Sequence, residues 1–379
     1  MGDLSGITVV SLEQAVAAPY VSGRLAEAGA RVIKIERPEG DFARGYDQYV
    51  HGQSAYFVWL NAGKESITLD LREQSDKNLL RRMLATADVF IQNLAPGALA
   101  RLGFEPTALL AEYPSLVICS ISGYGEDGPY RLQKAYDLLI QAETGLCSIT
   151  GVGEELTRVG VSVSDISAGM TAYQSILQAL FARERDPDQA GRIINVSLFH
   201  STADWMNVPY LQHRYGHFTP QNHGLKHPSI APYGAFTCRD GKAVLISIQN
   251  EREWQSFCEQ VLANAALASE ARFENNAARV AHRQALDELV SAYFMGFRRD
   301  EIIDRLNAAR IAFGRLSDLE DLQRHPQNRF RQIETEQGLV EALGRGAVMS
   351  SDEPVTLRLA TLGEHSQKIR AEFDQGLDD

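Results

Sequence analysis

Residues 7–36 read "ITVVSLEQAVAAPYVSGRLAEAGARVIKIE" and contain one complete strand–helix–strand pattern. The segments "ITVVSL" (7–12) and "RVIKIE" (31–36) are short, apolar and of strand length. The residues between them carry apolar side chains at helix-compatible spacing, and Gly29 follows as a helix stop signal. This stretch therefore predicts a βαβ unit with two parallel strands.

The same alternation continues through residue 125. Further strand-like segments at 66–71, 89–94 and 116–125 are separated by helical patterns, and a long helix is predicted over about 166–184. Strands that alternate with helices indicate a parallel sheet of the nucleotide-binding type. We therefore predict an α/β protein whose large domain is Rossmann-like.

The composition changes after the long helix, which predicts a second domain. The stretch "YGAFTCRDGKAVLISI" indicates two strands joined by the turn "RDGK", and amphipathic helical patterns follow it. We predict a large domain at 1–190, a linker at 191–225 and a small α+β domain at 226–315. Residues 316–379 are predicted to form a second linker and then return to the large domain.

Composition limits the classes of function. The 379 residues are 44% hydrophobic and carry a net charge of −12, which argues against a broad surface for nucleic acid or anionic membranes. No apolar run approaches the roughly 20 residues of a membrane span, and the N-terminus lacks the pattern of a signal peptide. The four cysteines are far apart, so no metal site is predicted. These features predict a cytoplasmic protein whose partners are neither nucleic acids nor membranes.

Two nucleotide-binding motifs are absent where they would be needed. The first strand–helix loop, "EQAVAAPY" (13–20), contains no glycine, whereas a dinucleotide fingerprint needs glycines so that the backbone can approach the pyrophosphate. The segment "NAGKES" (61–66) has a Gly-Lys pair but lacks the upstream glycine and the immediately following Ser or Thr of a P-loop. The sequence therefore predicts neither a dinucleotide-dependent oxidoreductase nor an ATP-driven enzyme.

Asp165 is the one carboxylate in "VSVSDISAGM" (161–170), a stretch of small and apolar residues where the long helix begins. We expect it at or beside the helix N-cap, where a carboxylate accepts backbone N–H bonds and complements the helix dipole. A structural cap and a catalytic carboxylate both suit this position. The pattern alone leaves the two interpretations open.

Seven segments together resemble one enzyme family. They are "LSGITVVSLEQAVAAPYVSGRLAEAGARVIKIERPEGDFAR", "NAGKESITLDLR", "ADVFIQNLAPGALARLGF", "ISGYGEDGPY", "VSDISAGM", "HPSIAPYGAFTCRDG" and "LGEH". In this order, over nearly the whole chain, they resemble the family III CoA-transferases, which include formyl-CoA and carnitine CoA-transferases and are related to the α-methylacyl-CoA racemases. The resemblance implies an interlocked, ring-like homodimer whose subunits each have a large and a small domain.

The resemblance also implies that Asp165 is a catalytic nucleophile. Its carboxylate would attack a donor acyl-CoA to form an acyl-aspartyl anhydride and would then hold CoA as an aspartyl thioester, which a free carboxylic acid displaces. Small neighbours such as Ser164 and Gly169 would let the bulky thioester approach. CoA thioesters are then substrates, and no permanently bound cofactor is expected.

The same resemblance implies a set of CoA-contacting residues. Arg and Lys side chains suit the phosphates of CoA, and loop backbone groups suit adenine or pantetheine, although a basic residue taken alone is more often a solvated surface charge. The predicted set is Ala15, Val16, Arg37, Leu69, Arg72, Asn93, Leu94, Arg101 and Lys134. Val16 stands where formyl-CoA transferases carry glutamine, so specificity for formate or oxalate is not expected.

Residues 227–236, "HPSIAPYGAF", resemble the corresponding segment of transferases that use succinyl-CoA with C4 to C6 dicarboxylic acids such as itaconate, mesaconate, citramalate or glutarate. His227, Tyr233 and Arg44 are the polar side chains predicted near the distal carboxylate of such an acid. The same segment is also typical of a turn that leads into a strand. The predicted function is CoA transfer from succinyl-CoA, or a similar donor, to a small dicarboxylate.

Two alternative functions stay open. In the related racemases a histidine precedes the aspartate that aligns with Asp137 and takes part in α-proton exchange. That position here is Tyr136, which we place on the substrate side, and phenols, with a pKa of about 10, are poor bases at neutral pH. The second alternative is a non-catalytic CoA-binding protein in which Asp165 serves only as a helix cap.

Overall fold

The computed structural model describes residues 2–218, 222–350 and 355–374. These residues fall into two compact units. The first unit takes in Met1–Cys147, Arg158–Leu211 and Arg329–Asp379, and the second takes in Ser148–Thr157 and Gln212–Asn328.

Strands and helices alternate along most of the first unit, as the sequence pattern predicts. The strands are β1 (Thr8–Leu12), β2 (Arg31–Glu36), β3 (Glu65–Thr68), β4 (Val89–Gln92), β5 (Val117–Ser122), β6 (Gly151–Gly153), β7 (Glu155–Leu156), β8 (Ile193–Ser197), β9 (Asn222–His223), β10 (Tyr233–Thr237), β11 (Ala243–Ser247), β12 (Ala312–Arg315), β13 (Phe330–Thr335), β14 (Gly338–Leu343) and β15 (Leu357–Arg358). The helices are α1 (Ala17–Glu27), α2 (Ala55–Asn61), α3 (Gln74–Ala85), α4 (Ala98–Arg101), α5 (Pro106–Glu112), α6 (Asp137–Glu143), α7 (Val163–Arg185), α8 (Leu198–Trp205), α9 (Asn207–Gly216), α10 (Glu251–Ser256), α11 (Asn276–Ala281), α12 (Arg283–Phe294), α13 (Arg299–Ala308), α14 (Leu319–Gln323) and α15 (Ser366–Asp374).

Six strands of the first unit form one parallel sheet in the order β3-β2-β1-β4-β5-β8. β4 and β5 are buried along their whole length, which explains why their sequences are nearly continuous apolar runs. The direction of the crossovers reverses between β1 and β4, so the carboxyl ends of these two strands form the switch point at which α/β proteins bind ligands. The predicted α/β class with a parallel sheet is confirmed.

Apolar layers cover both faces of this sheet. α1 and α7 pack on one face, where Val89 and Ile176 are fully buried. α3 packs on the other face, where Met83 and Phe90 are fully buried. Val89 and Phe90 belong to different layers because successive side chains of a strand point to opposite faces.

The start of α7 packs closely against α1 and α8. A Cβ atom on Gly169 would lie 2.8 Å from Cδ1 of Tyr20 and 3.0 Å from the backbone oxygen of Ala17, so only glycine allows this approach. Ser167 is buried in the same helical turn and donates from Oγ to the backbone oxygen of Ser201 in α8, at 2.9 Å. The small residues beside Asp165 therefore serve helix packing, which corrects the expectation that they leave room for a thioester.

The unit boundaries differ from the predicted domain limits. The predicted linker at 191–225 contains β8, the sixth strand of the large sheet, and α8, which packs on α7. Residues 148–157 lie inside the predicted large domain but belong to the second unit, because β6 pairs with β7 and with the distant β9. The return to the first unit begins at Arg329 rather than at 316.

The second unit has its own core. β10, β11 and β12 form an antiparallel sheet, and the turn "RDGK" joins the first two strands. Helices α10 to α13 supply much of a fully buried cluster with Trp254, Phe257 and Phe294 near its centre. β12 was beyond the sequence pattern, since its four residues follow directly after helical ones.

The C-terminal residues complete the first unit. β13 pairs with β14 and β15, and α15 packs on α3, where Ile369 is fully buried. Throughout the described ranges, we find no helix whose length and apolar character would suit a membrane span.

Candidate active site

Asp165 is the third residue of α7 and lies half-buried in its first turn. Its carboxylate makes no hydrogen bond and no ion pair with any residue in the described ranges. Burial raises the pKa of Asp165 from its ordinary 3.8 to about 7, and the charge of the neighbouring Asp137 adds to this shift. Asp165 is therefore not the N-cap, which is Ser162, and its position inside the first turn corrects that expectation.

Asp137 caps α7 in place of Asp165. It begins α6, and its Oδ1 accepts a hydrogen bond from the backbone N–H of Ser164, at 2.8 Å. Its Oδ2 accepts a second hydrogen bond from Nε2 of Gln141, at 2.8 Å. The first turn of α7 thus gains its side-chain acceptor from another helix, a pairing that no local sequence pattern could reveal.

Tyrosine side chains border this end of α7. The hydroxyl of Tyr56 in α2 lies 3.0 Å from Oγ of Ser162, and the rings of Tyr46 and Tyr56 meet edge to face, with 5.7 Å between their centres. Burial, together with the charges of Asp41 and Asp165, raises the pKa of Tyr46 to about 12. The Tyr46 phenol is therefore a proton donor near Asp165 at neutral pH. Sequence analysis did not single out Tyr46 or Tyr56.

Tyr136 also faces this region. Its charge is one of the influences on Tyr46, and its own side chain is 66% exposed. The predicted substrate-side position of Tyr136 thus lies in an open part of the first unit.

The loop between β1 and α1 is held in an unusual conformation. Ala15 has φ +64°, in the left-handed region that favours glycine. Its N–H donates to Oδ1 of Asp41, at 3.1 Å. Asn93 accepts from the N–H of Gln14 at 3.0 Å and donates to its oxygen at 2.8 Å. Asp41 and Asn93 together fix this loop, so Asn93 shapes it and leaves CoA contact to the backbone around Ala15 and the buried Val16.

A buried cluster of charges lies directly before this loop. Glu13 accepts from Nζ of Lys64 at 2.7 Å and from Nζ of Lys34 at 3.4 Å, and Lys34 also donates to Asp41 at 2.8 Å. All four side chains are at most 5% exposed. Burial alone would raise the pKa of Glu13, but the charges of Lys64 and Lys34 outweigh it and hold the pKa at about 2. This cluster ties the first three strands to the loop, and the sequence pattern missed it.

A cavity of about 280 Å³ opens at the carboxyl ends of the central strands. Its lining is mostly apolar, with two arginines and two carboxylates: Leu12, Arg37, Pro38, Glu39, Leu69, Asp70, Leu71, Arg72, Leu94 and Leu102. Four of the predicted CoA residues, Arg37, Leu69, Arg72 and Leu94, are thus brought together at the switch point of the sheet. The described lining does not include Arg101 or Lys134, which are exposed elsewhere on the unit.

The two arginines of this cavity differ in their surroundings. Arg72 is paired with Asp70, with 2.6 Å between Nη2 and Oδ2. The hydrogen bonds from Arg72 lower the pKa of Asp70 to about 2. Arg37 donates from Nε to the backbone oxygen of Gly40, at 2.9 Å, which leaves the rest of its guanidinium directed to other partners. Both arginines suit an anionic ligand, and Arg72 would exchange one anion for another.

Arg44 already has a carboxylate partner. Its Nε and Nη2 donate to Glu36 at 2.8 and 2.7 Å, and its guanidinium lies over the ring of Phe57, 3.9 Å from the ring centre. Glu36 is buried, so a substrate carboxylate would have to displace it. We therefore do not carry Arg44 forward as a substrate residue.

His227 and Tyr233 support one turn in the second unit. Their rings stack, with 5.2 Å between the centres, and Nδ1 of His227 accepts from the N–H of Ser229 at 3.2 Å. Burial and the charge of Arg283 lower the pKa of His227. These contacts account for both side chains structurally, and their role toward a substrate stays a prediction. Within the described part of the chain, no three His, Cys, Asp or Glu side chains are grouped as a metal would require.

The family model described as CoA-transferase family III matches residues 4–366. The chain belongs to CoA-transferase family III. An acetyl-CoA:oxalate CoA-transferase of Acetobacter aceti is 33% identical to it over 377 residues, covering 98% of this chain and 96% of the relative. A succinate–glutarate CoA-transferase of Agrobacterium fabrum is 30% identical over 386 residues, with 98% and 96% covered.

A solved CAIB/BAIF family protein from Brucella suis shares the fold of this CoA-transferase. It is 32% identical, has a TM-score of 0.83, and matches 98% of this chain and 100% of its own. Enzymes of this family act on CoA thioesters and carboxylic acids. The interpretation as a non-catalytic CoA-binding protein is therefore replaced by that of a transferase.

The raised pKa of Asp165 predicts a pH-dependent cost to stability. The folded state binds this proton more tightly than the unfolded state, so the stabilising contribution is complete below pH ~4 and is lost as the pH rises through about 7. The loss corresponds to about 4 kcal/mol in the free energy of unfolding. Denaturant unfolding should find Asp165→Asn equal to the wild type near pH ~4 and about 2–4 kcal/mol more stable near pH ~8. Parallel stability curves for the two proteins would contradict the raised pKa.

Proposed function

We propose that this family III CoA-transferase moves CoA from an acyl-CoA donor, with succinyl-CoA as the preferred one, to a short dicarboxylic acid through covalent intermediates on Asp165. The observation that carries the proposal is the half-buried Asp165 carboxylate. It makes no hydrogen bond or ion pair within the described residues and has a pKa of about 7. An open carboxylate with raised basicity is a better nucleophile than an ordinary surface aspartate.

The proposed reaction has four displacement steps. An Asp165 oxygen attacks the donor thioester, the C–S bond breaks, and CoA leaves as a thiolate beside an acyl-aspartyl anhydride. The thiolate attacks the aspartyl carbonyl, the donor acid leaves as a carboxylate, and an aspartyl-CoA thioester forms. The acceptor carboxylate then displaces the thiolate to give a second anhydride. Finally, the thiolate attacks the acceptor carbonyl, which releases the new acyl-CoA and the Asp165 carboxylate, so no net proton, metal or ATP is consumed.

Residues around Asp165 support these steps. The carbonyl attacked in each step gains negative charge, and the first turn of a helix favours negative charge through its backbone dipoles. Tyr46, whose phenol stays protonated at neutral pH, is available as a donor nearby. The rigid packing of α7 against α1 keeps the nucleophile in a fixed place.

The cavity at the switch point is the proposed site for the nucleotide part of CoA. Arg37 and Arg72 would pair with its phosphates, while Leu69 and Leu94 would contact the adenine. The β1–α1 loop, with Ala15 and Val16, lies between the carboxyl end of β1 and α1, where pantetheine would pass toward α7. Asn93, Arg101 and Lys134 stay in the proposed CoA-binding set, Asn93 through its hold on the loop.

The acceptor is proposed from the relatives and from charge. The relatives are named for the dicarboxylates oxalate and glutarate. One carboxylate of the acceptor must be free to attack, and the other needs a cationic or hydrogen-bonding partner because an unpaired anion is costly to desolvate. Tyr136, His227 and Tyr233 are the proposed partners. The resemblance to an oxalate enzyme also returns oxalate to the set of acids to be tested, although Val16 disfavours it.

A panel of acceptors tests this assignment. With succinyl-CoA as donor, kcat/KM for itaconate, mesaconate, citramalate or glutarate should exceed that for matched monocarboxylates by about tenfold or more, which equals about 1.4 kcal/mol of transition-state binding. Mass spectrometry of the new acyl-CoA gives the rates directly. A monocarboxylate preferred by tenfold would overturn the dicarboxylate assignment, and oxalate as the best acid would narrow it to C2.

The contacts of Asp137 favour transfer over racemisation. A proton-exchange pair would need two groups that are free to gain and lose protons at the α-carbon. Asp137 instead accepts two hydrogen bonds, from Ser164 and Gln141, and is preceded by Tyr136. Racemisation is accordingly not part of the proposal.

The assembly is proposed to be an interlocked homodimer. Apolar side chains are exposed along the end of α8 and the start of α9: Trp205 is 50%, Val208 64% and Leu211 49% exposed. Such a run is typical of a surface that another chain covers.

Interlocked subunits should not separate without unfolding. Light scattering at low micromolar concentration is expected to give the mass of a dimer until the concentration of denaturant unfolds the protein, because neither ring can leave the other intact. A folded monomer on dilution would contradict the interlocked form.

A further inference from the structure

Two side chains of α6 hold the segment that leads into the first turn of α7. Asp137 accepts from the N–H of Ser164 at 2.8 Å, and Oε1 of Gln141 accepts from the N–H of Val159 at 2.9 Å. Asp137 and Gln141 lie one helical turn apart and are themselves joined by a 2.8 Å hydrogen bond. Gln141 is fully buried. Both ends of the segment before Asp165 are thus fixed to one rigid support.

We propose that Asp137 is a positioning residue for Asp165, which fixes the first turn of α7 and acts on the Asp165 carboxylate through its negative charge. This role rests on the proposed function, in which Asp165 is the nucleophile. It assigns to Asp137 neither contact with substrate nor proton exchange.

The hydrogen bonds explain why Asp165 stays open. A carboxylate in the first turn of a helix usually gains from the unpaired N–H groups there. Asp137 takes the N–H of Ser164, the residue directly before Asp165, and places a second negative charge at the same helix end. Asp165 therefore keeps a carboxylate without a partner among the described residues, and the adjacent charge opposes its ionisation.

Other titratable groups lie on the elements packed around this helix end. They are Tyr46 after the turn Phe42–Gly45, Tyr56 on α2, Tyr136 before α6, Tyr20 and Arg24 on α1, and His200 and Asp204 on α8. The influences on the Asp165 carboxylate itself are burial and Asp137. Removal of the charge at Asp137 is therefore a clean test of the coupling.

The coupling would benefit the reaction in a specific way. A carboxylate that binds protons more tightly also attacks a carbonyl more readily, as long as it is ionised at the working pH. Burial without Asp137 would raise the basicity less, and a mobile first turn would misplace the attacking oxygen.

A double-mutant cycle on stability tests the coupling without any substrate. The free energy of unfolding is measured against pH for the wild type, Asp165→Asn, Asp137→Asn and the double variant, and the difference caused by Asp165→Asn is compared in the two backgrounds. Asn at 137 keeps an oxygen for the Ser164 N–H but carries no charge. We expect the midpoint of the Asp165-dependent change to fall by about one pH unit in the Asp137→Asn background.

Two further variants keep this test decisive. Asp88→Asn is the matched control, because Asp88 also accepts a backbone N–H, that of Thr8 at 2.8 Å, but at the amino end of the sheet, and it should leave the midpoint unchanged. If Asp137→Asn does not fold, Asp137→Ser, with an uncharged cap, replaces it. An unchanged midpoint in the uncharged variants would overturn the proposal.

The pH profile of transfer gives a second readout. In the proposed reaction, kcat/KM for the donor should fall as the pH drops below about 7, and in Asp137→Asn this fall should move to lower pH by the same amount as in the stability cycle. At high pH the variant should be several-fold slower, because its nucleophile is less basic. A slower variant with an unmoved profile would show that Asp137 has only a structural role. The stability cycle stays valid even if Asp165 proves not to carry the acyl group, so the two proposals fail separately.

Discussion

Asp165→Asn should lower kcat/KM for CoA transfer by about 10⁴-fold or more. The amide keeps the shape of the side chain but cannot attack a thioester or carry CoA as an aspartyl thioester. The fold should survive, because Asp137 rather than Asp165 caps α7 and because the change removes a carboxylate whose ionisation is opposed by burial. The loss is measured as the initial rate of new acyl-CoA, with succinyl-CoA as donor.

Asp186→Asn is the matched control for this loss. Asp186 directly follows the other end of α7, so the same chemical change is made on the same helix far along its axis from the first turn. Its kcat/KM should stay within about twofold of the wild type. A fully active Asp165→Asn protein would exclude the covalent mechanism on this residue.

Glu13→Gln should reduce the free energy of unfolding by about 3–5 kcal/mol. Glu13 is the shared partner of Lys34 and Lys64, and its replacement leaves two buried ammonium groups facing Asp41 alone. The cost comes from the uncompensated charge, since glutamine has nearly the same volume. Denaturant unfolding at neutral pH measures it. The loop at Ala15 should loosen as well, because Asp41 holds both that loop and Lys34.

Glu65→Gln provides the comparison for Glu13. Glu65 lies on β3 and also pairs with two cations, Arg31 at 2.9 Å and Lys368 at 2.8 Å, but these pairs lie near the surface. Its loss should cost at most about 1 kcal/mol, because water replaces the partner. Equal losses for the two variants would mean that burial of the Glu13 cluster does not determine its effect.

The sheet could be predicted from sequence because its strands are apolar runs of strand length. The second strand was predicted at 31–36 and observed at Arg31–Glu36, and the long helix, predicted at 166–184, was observed at Val163–Arg185. β8 was not assigned because its sequence alternates weakly, with three of its five residues only partly buried. The short strands β6, β7 and β9 depend on pairing between residues far apart in the chain, which periodicity does not encode.

The candidate site was predictable only where residue type and motif order identify it. Asp165 and the cavity residues Arg37 and Arg72 came from the family resemblance, and the cavity brings the latter two together. The capping by Asp137 and the charge cluster around Glu13 are contacts between distant segments, so single residues give no signal for them. Arg44 shows the opposite failure, because a basic residue in a motif suggested a ligand while its partner is the buried Glu36.

Trapping of the aspartyl intermediate tests the central claim most directly. The wild type and Asp165→Asn are incubated with succinyl-CoA and hydroxylamine in the absence of acceptor, and the peptide that contains residue 165 is analysed by mass spectrometry. An activated Asp165 carbonyl would react with hydroxylamine to give a hydroxamate, so we predict a mass increase of one NH group at Asp165 in the wild type and none in the variant. An unmodified Asp165 peptide from a wild-type enzyme that turns over its donor would contradict the account.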